Sequence, residues 1–106
     1  MTAQGSHDDR KHFLIKLVSP RPTFPADMTP AERATMLEHV AYWTGKLADG
    51  SMIAFGPVAD PGGVWGLGLL CVRDEAEVSA LTAGDPVIRA GGGFRYDVLL
   101  MPRLVH

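Results

Sequence analysis

The sequence predicts a single α+β domain with the element order β-α-β-β-α-β. Four short apolar runs alternate with two helical segments that carry capping signals, and clusters of glycine and proline separate them. The chain has 106 residues, a length typical of one domain. Hydrophobic residues make up 46% of it and charged residues 21%, a composition that excludes a disordered chain and supports one core.

Charge and cysteine content exclude several classes of function. Ten Lys and Arg against twelve Asp and Glu give a net charge of −2, which does not favour binding to nucleic acid. The single cysteine, Cys71, excludes an intramolecular disulfide and a cysteine-rich zinc site, and we predict neither a metal nor a cofactor. Without an apolar run of about 18 residues or a signal-peptide pattern, a cytoplasmic protein with no membrane partner is expected.

The first quarter of the chain is predicted to hold one strand and one long loop. Residues 1–11 show no periodicity and are predicted to be a disordered leader before a single domain over 12–106. His12–Val18 is almost continuously apolar, which predicts a central strand buried on both faces. Ser19–Met28 carries three prolines and is predicted to be an extended loop, longer than most connections and therefore a hint of function.

Capping signals locate the first helix, which we predict over Pro30–Asp49. Thr29 and Glu32 have the spacing of a capping box, and Pro30 occupies the first helical position. The side chains predicted to face the core recur at helical spacing: Met36, Val40, Trp43 and Leu47.

The second half of the chain is predicted to contain a hairpin, a helix, a helical turn and a last strand. Gly66 and Gly68 share one face of the third strand, so either a large side chain packs there or that face lines a cavity. The predicted elements are strands over Met52–Val58 and Val64–Val72, a helix between Asp74 and Gly84, a helical turn after Asp85-Pro86 and a strand over Phe94–Met101.

This order of elements is that of the ferredoxin-like split βαβ fold, an antiparallel sheet with both helices on one face. The other face would then expose apolar side chains, and packing of two sheets face to face in a homodimer is the simplest way to cover them. Depending on register, the exposed side chains would be Phe13 or Leu14, Trp65 or Leu67, and Tyr96 or Val98.

His39 is the first candidate for chemistry. On the first helix it lies about 60° from the centre of the apolar stripe, which predicts a position at the boundary between core and solvent. One interpretation is a boundary histidine that only packs its ring. The other is a general base, because an imidazole exchanges protons near neutral pH.

Asp85 and Gly56-Pro57 are the other candidates. Asp85 precedes a proline and is predicted to cap a helix, which leaves one oxygen free to orient an imidazole N–H. Gly56-Pro57 is explained either by a bend at the end of a strand or by a close approach of the backbone to a ligand. His39 and Asp85 supply two metal ligands where three or four are needed, so no metal site is predicted.

Three short motifs occur in order on matching elements: His39 in EHVAYW, Gly56-Pro57 in AFGPV, and Asp85-Pro86 in AGDPVIRAG. With them, the chain from about His12 to Pro102 resembles the YciI-like, or YCII-related, family of small bacterial proteins. The resemblance implies a dimeric α+β barrel of ferredoxin-like fold and a His–Asp active site, here His39 and Asp85. It also implies chemistry such as elimination of chloride from a chlorinated hydroxyquinol with the histidine as base, although nothing in the sequence identifies that substrate.

Two classes of function follow. One is a lyase or isomerase in which His39 takes a proton from a small molecule while Asp85 holds the imidazolium. The other is a non-catalytic ligand-binding or accessory domain that uses the same cleft. A buried, fully hydrogen-bonded imidazole would favour the second class, whereas a ring that opens into a pocket with Asp85 behind it would favour the first.

Four further residues are predicted to bind the substrate. Gly56 and Pro57 would border it through their backbone. Arg21 and Phe24, from the proline-rich segment, are expected at the mouth of the pocket. Arg21 would either attract an anionic substrate or lie exposed to solvent.

Overall fold

The computed structural model describes residues 9–105 and contains four strands and three helices in that range. The strands are β1 (Lys11–Val18), β2 (Met52–Val58), β3 (Trp65–Val72) and β4 (Arg95–Met101), and the helices are α1 (Pro30–Asp49), α2 (Glu75–Ala83) and α3 (Pro86–Arg89).

The strands form one antiparallel sheet in the order β2-β3-β1-β4. The predicted α+β class is confirmed, and the arrangement is compatible with a ferredoxin-like fold. β1 begins at Lys11, one residue earlier than predicted, while residues 1–8 of the predicted leader lie outside the described residues. Among the described residues, no helix is long and apolar enough to cross a bilayer.

The helix ends follow from their caps. The Thr29 hydroxyl accepts from the backbone N–H of Glu32, and the Glu32 carboxylate accepts from the N–H of Thr29, which is the predicted capping box. α1 ends at Asp49 and is capped by Gly50, whose φ of 85° lies in the left-handed region that glycine adopts readily. Asp74 and Asp85 cap α2 and α3 through their side chains.

The core lies between the helices and one face of the sheet. β1 is central, as predicted, but its burial alternates, because the side chains facing away from the helices are only partly covered within one chain. The prediction that β1 is buried on both faces is therefore wrong for the single chain. The buried residues of the core cluster are Phe13, Ile15, Trp43, Met52, Leu70, Val72 and Val78.

The buried face of α1 is rotated by about 60° from the predicted stripe. Its buried residues are His39 and Trp43, whereas Val40 and Leu47 are 47% and 40% exposed. The rotation has a physical cause, since His39 and Trp43 both hydrogen-bond to the buried Asp85 at the start of α3. His39 therefore lies inside the protein and not at the predicted boundary with solvent.

Strand register decides which side chains face away from the helices. Leu14 pairs with Leu69 and Lys16 pairs with Leu67, which puts these residues on the outer face of the sheet.

On β4, Tyr96 and Val98 pair instead with the inward residues Leu17 and Ile15. The expectation that Tyr96 or Val98 faces outwards is thus wrong, and Asp97 and Leu99 take the outward positions on β4.

Gly66 and Gly68 lie where β3 passes close to the side chains of β1. A Cβ atom at Gly68 would lie 2.9 Å from both Ile15 Cγ1 and Met52 Cε, and one at Gly66 would lie 3.3 Å from Leu17 Cβ. Both glycines also line the cavity described below. Close packing and a cavity therefore both account for the two glycines.

Gly68→Ala is expected to lower the free energy of unfolding by about 1–3 kcal/mol, because the added methyl group overpacks Ile15. Gly45→Ala is the matched control: apart from its chain neighbours and the nearby backbone of α1, no described atom lies within 4 Å of the new Cβ, which sits on the exposed side of α1. The control is expected to gain about 1 kcal/mol from helix propensity. Urea denaturation measures both changes, and a Gly68→Ala protein as stable as the wild type would contradict the packing.

Candidate active site

The site is built around Asp85, which is fully buried at the start of α3. Pro86 follows it at the first helical position, where no backbone N–H is needed, and the N–H of Val87 donates to Asp85 Oδ1 at 3.0 Å. Asp85 is therefore the predicted helix cap. Because α3 packs against α1, the same carboxylate also meets side chains of the long helix.

His39 of α1 is hydrogen-bonded to this carboxylate through one ring nitrogen. Its Nδ1 lies 2.8 Å from Asp85 Oδ2 and 3.0 Å from Oδ1. Since an ionised carboxylate only accepts hydrogen bonds, Nδ1 must carry a proton, and in the neutral ring the lone pair is then on Nε2. Among the described residues Nε2 has no hydrogen-bond partner and is not sealed from solvent. The two residues whose pairing the sequence predicts do lie together.

Two aromatic side chains complete the set of donors to Asp85. The indole Nε1–H of Trp43 donates to Oδ2 at 2.8 Å, and the Tyr96 hydroxyl donates to the same oxygen at 2.6 Å. Trp43 Nε1 also lies 3.1 Å from the Tyr96 oxygen. The sequence predicted Trp43 only as a core residue and missed Tyr96. One general rule could have indicated both residues: a buried Trp or Tyr side chain needs a hydrogen-bond partner for its polar atom.

The hydrogen bonds keep the Asp85 carboxyl ionised. Burial by itself raises the pKa of this group, but hydrogen bonds from His39, Tyr96 and the Val87 N–H outweigh it, and the pKa is held below its ordinary value. For Tyr96, burial and the neighbouring charge of Asp85 raise the pKa of the phenol well above its ordinary value. Tyr96 therefore stays protonated and continues to donate.

A cavity of about 250 Å³ opens beside His39. Three other residues predicted to border the substrate also line it, namely Phe24, Gly56 and Pro57. Phe24 is buried and packs edge-to-face on Phe94, with ring centroids 5.1 Å apart. The loop before α1, the end of β2 and α1 itself thus meet around the imidazole.

Arg21 is not among the residues that line the cavity. Its guanidinium donates to both carboxylate oxygens of Asp27, at 2.9 and 3.0 Å, and to both of Glu32, at 2.6 and 2.8 Å. The hydrogen bonds from Arg21 and from the Thr29 N–H lower the pKa of Glu32 to about 2. The expected attraction of an anionic substrate by Arg21 finds no support in this placement. Arg21 instead ties the proline-rich loop to the first turn of α1.

A family model covers most of the chain: that of the YCII-related domain matches residues 14–102. The chain belongs to the YCII-related family. The matched range includes His39, Asp85, Gly56 and Pro57, so the resemblance predicted from the short motifs is confirmed at the level of the family. No curated protein matches the sequence.

The chemistry available in this YCII-related domain is that of an oriented imidazole. A ring that donates through Nδ1 to a carboxylate presents a basic nitrogen at Nε2. When the ring takes up a proton there, the negative carboxylate stabilises its positive charge. Over residues 9–105, no three His, Cys, Asp or Glu side chains come together as metal ligands would.

Proposed function

We propose that this YCII-related domain is an enzyme of the lyase or isomerase type, with His39 as general base and Asp85 as the group that orients it. One observation carries the proposal: His39 lines the cavity, and among the described residues its ring is hydrogen-bonded through Nδ1 alone. A base needs a lone pair within reach of the ligand and a stabilised conjugate acid. Nε2 offers the first and the Asp85 carboxylate the second.

In the proposed step, Nε2 takes a proton from a carbon or oxygen atom of a small molecule. The electron pair left behind either expels a leaving group from a neighbouring atom or shifts a double bond. In the first case His39 passes the proton to solvent, and in the second it returns the proton to a different atom of the same molecule. Trp43 and Tyr96 hold the Asp85 carboxylate while the ring is charged. The elimination of chloride implied by the resemblance is one reaction of this kind.

A non-catalytic ligand-binding or accessory domain is the second candidate. The observation that favours it is the lining of the cavity, which is aliphatic and aromatic apart from a few polar side chains. Such a surface retains a small apolar molecule without needing to transform it.

Turnover in deuterated water distinguishes the two candidates. We would incubate the protein with small hydroxylated aromatics and lactones and follow elimination, isomerisation or deuterium uptake by NMR. Turnover that is lost in His39→Gln but kept in Glu38→Gln, a change to the same residue type on the exposed side of α1 and outside the cavity lining, supports the enzyme. Binding of these molecules with neither turnover nor exchange would overturn it in favour of the binding domain.

We also propose that the chain forms a homodimer with the outer faces of its sheets packed together, as in a dimeric α+β barrel. That face carries Leu14, Leu67 and Leu69 along the central strands, and Leu99 is 55% exposed in the single chain. A stable interface of this kind is expected to bury about 1,200–2,000 Å² in total.

Leu69→Lys is expected to convert the dimer into a monomer, because it puts a charge into the proposed apolar interface. Leu37→Lys on α1, where the leucine is 68% exposed, is the matched control and should leave the dimer intact. Analytical ultracentrifugation at micromolar concentration measures the oligomeric state of each protein. A monomeric wild-type protein would contradict the proposal.

A further inference from the structure

The cavity at His39 has the size of a one-ring molecule. Its volume is about 250 Å³, and a cavity of about 150 Å³ in another protein holds benzene. Aromatic side chains of Phe24, Phe55 and Trp43 form part of the lining, which suits a flat ligand. A single ring with one or two small substituents therefore fills the space.

The lining offers no permanently charged side chain to a ligand. Within residues 9–105, no Lys, Arg, Asp or Glu side chain lines the cavity. An ion that enters would lose its hydration without gaining a counter-ion, which is costly. An anion would also meet repulsion from the ionised Asp85, which is bonded to the other side of the imidazole.

Arg21, in the loop before α1, does not supply the missing counter-ion for an anionic ligand. Arg21 is hydrogen-bonded to two carboxylates, those of Asp27 and Glu32, so the three groups together carry one more negative than positive charge. The carboxylates are ionised because their hydrogen bonds with Arg21 lower the pKa of each. This cluster cannot serve as an anion receptor without first breaking its own ion pairs.

Hydrogen-bond donors around the cavity are already engaged. Trp43 and Tyr96 donate to Asp85, and Trp65 donates to Asp60 at 3.0 Å. The Ser19 hydroxyl donates to the carbonyl of Arg21 at 3.0 Å, and His39 Nδ1 donates to Asp85. These are the side-chain donors that line the cavity in the described part of the chain. Among the polar side-chain atoms of these lining residues, Nε2 of His39 is the one without a hydrogen bond to another described residue, and it is an acceptor.

We infer that the cavity is selective for neutral one-ring molecules that donate a hydrogen bond to His39 Nε2, and that it rejects anions of the same size. The inference rests on the proposed function in one respect, namely that this cavity is the substrate site. It assigns the charge and polarity of the substrate, which the general-base proposal leaves open.

Three probes that share one carbon skeleton test the inference. Benzyl alcohol is neutral and donates, benzaldehyde is neutral and only accepts, and benzoate is an anion. Their affinities are measured at pH 8 by NMR titration of the indole resonances of Trp43. We expect benzyl alcohol to bind at least about tenfold more tightly than benzoate, and more tightly than benzaldehyde, because a desolvated charge and an unpaired acceptor each weaken binding.

Arg21→Gln supplies the decisive comparison, with Arg33→Gln on an exposed part of α1 as the control for net charge. The ratio of benzyl alcohol to benzoate affinity is expected to stay the same in both variants. Benzoate binding equal to or tighter than that of benzyl alcohol would overturn the inference, as would absence of binding by all three probes. A selective loss of benzoate binding in Arg21→Gln would overturn it in favour of Arg21 as anion receptor.

These outcomes are separate from those of the proposed function. The probes are measured without turnover, so their ranking stands whether or not His39 acts as a base. Conversely, His39-dependent turnover of an anionic substrate would overturn the charge preference and leave the general base in place.

Discussion

Asp85→Ala is expected to lower the free energy of unfolding by about 3–5 kcal/mol, because it removes a buried carboxylate that accepts several hydrogen bonds. The carboxylate is fully buried and accepts hydrogen bonds from His39, Trp43, Tyr96 and the backbone of Val87. Each donor left buried without an acceptor costs about 1–3 kcal/mol. The lost cap of α3 belongs to the same cost, at about 1 kcal/mol.

Asp85→Asn is the conservative comparison and is expected to lower the free energy of unfolding by about 1–3 kcal/mol, because one side-chain oxygen still accepts hydrogen bonds while the amide nitrogen cannot.

The difference in the free energy of unfolding between wild type and Asp85→Asn should depend on pH. Since folding lowers the pKa of Asp85, its contribution to stability is present above about pH 4, the unfolded value, and is lost as the pH falls below it. Urea denaturation should therefore show a large difference at pH 7 and a smaller one at pH 3. A difference that is equal at both pH values would contradict an ionised Asp85.

His39→Ala is expected to reduce turnover of any substrate found by about 10²–10⁴-fold, the usual contribution of a positioned general base. His39→Gln separates chemistry from packing, because its amide can still donate to Asp85 but cannot take up a proton. We expect Gln at position 39 to leave a folded protein that binds ligand without turning it over. Steady-state kinetics and thermal unfolding check both points, and a His39→Ala protein with full activity would contradict the role of base.

The order of the elements could be predicted because its signals are local. The capping box of Thr29 and Glu32, the proline at the start of α1 and the apolar runs act over a few residues. The rotation of α1 could not be predicted in this way. It depends on Asp85, 46 residues beyond His39 in the chain, and the hydrogen bond between them places a polar residue on the buried face.

The site was predictable to the extent that short motifs mark it. His39, Asp85 and Gly56-Pro57 each occur in such a motif. Tyr96 was missed because its orientation depends on the pairing of β4 with β1, which no local signal fixes.

The predicted role of Arg21 at the mouth of the pocket also depended on contacts that no local signal fixes. The sequence around Arg21 does not reveal which carboxylates it meets in the fold. The structure gives it Asp27, six residues away, and Glu32, eleven residues away.

The tautomer of His39 is the most direct test of an imidazole oriented by Asp85 to act as a base. It is measured by ¹⁵N NMR of the ring nitrogens in the neutral form of the side chain, with Asp85→Asn for comparison. The expected result is a proton on Nδ1 and a bare Nε2 in the wild type, with this preference weakened in Asp85→Asn. A proton on Nε2 in the neutral wild-type ring would contradict the proposal, because the cavity would then face a donor and not a base.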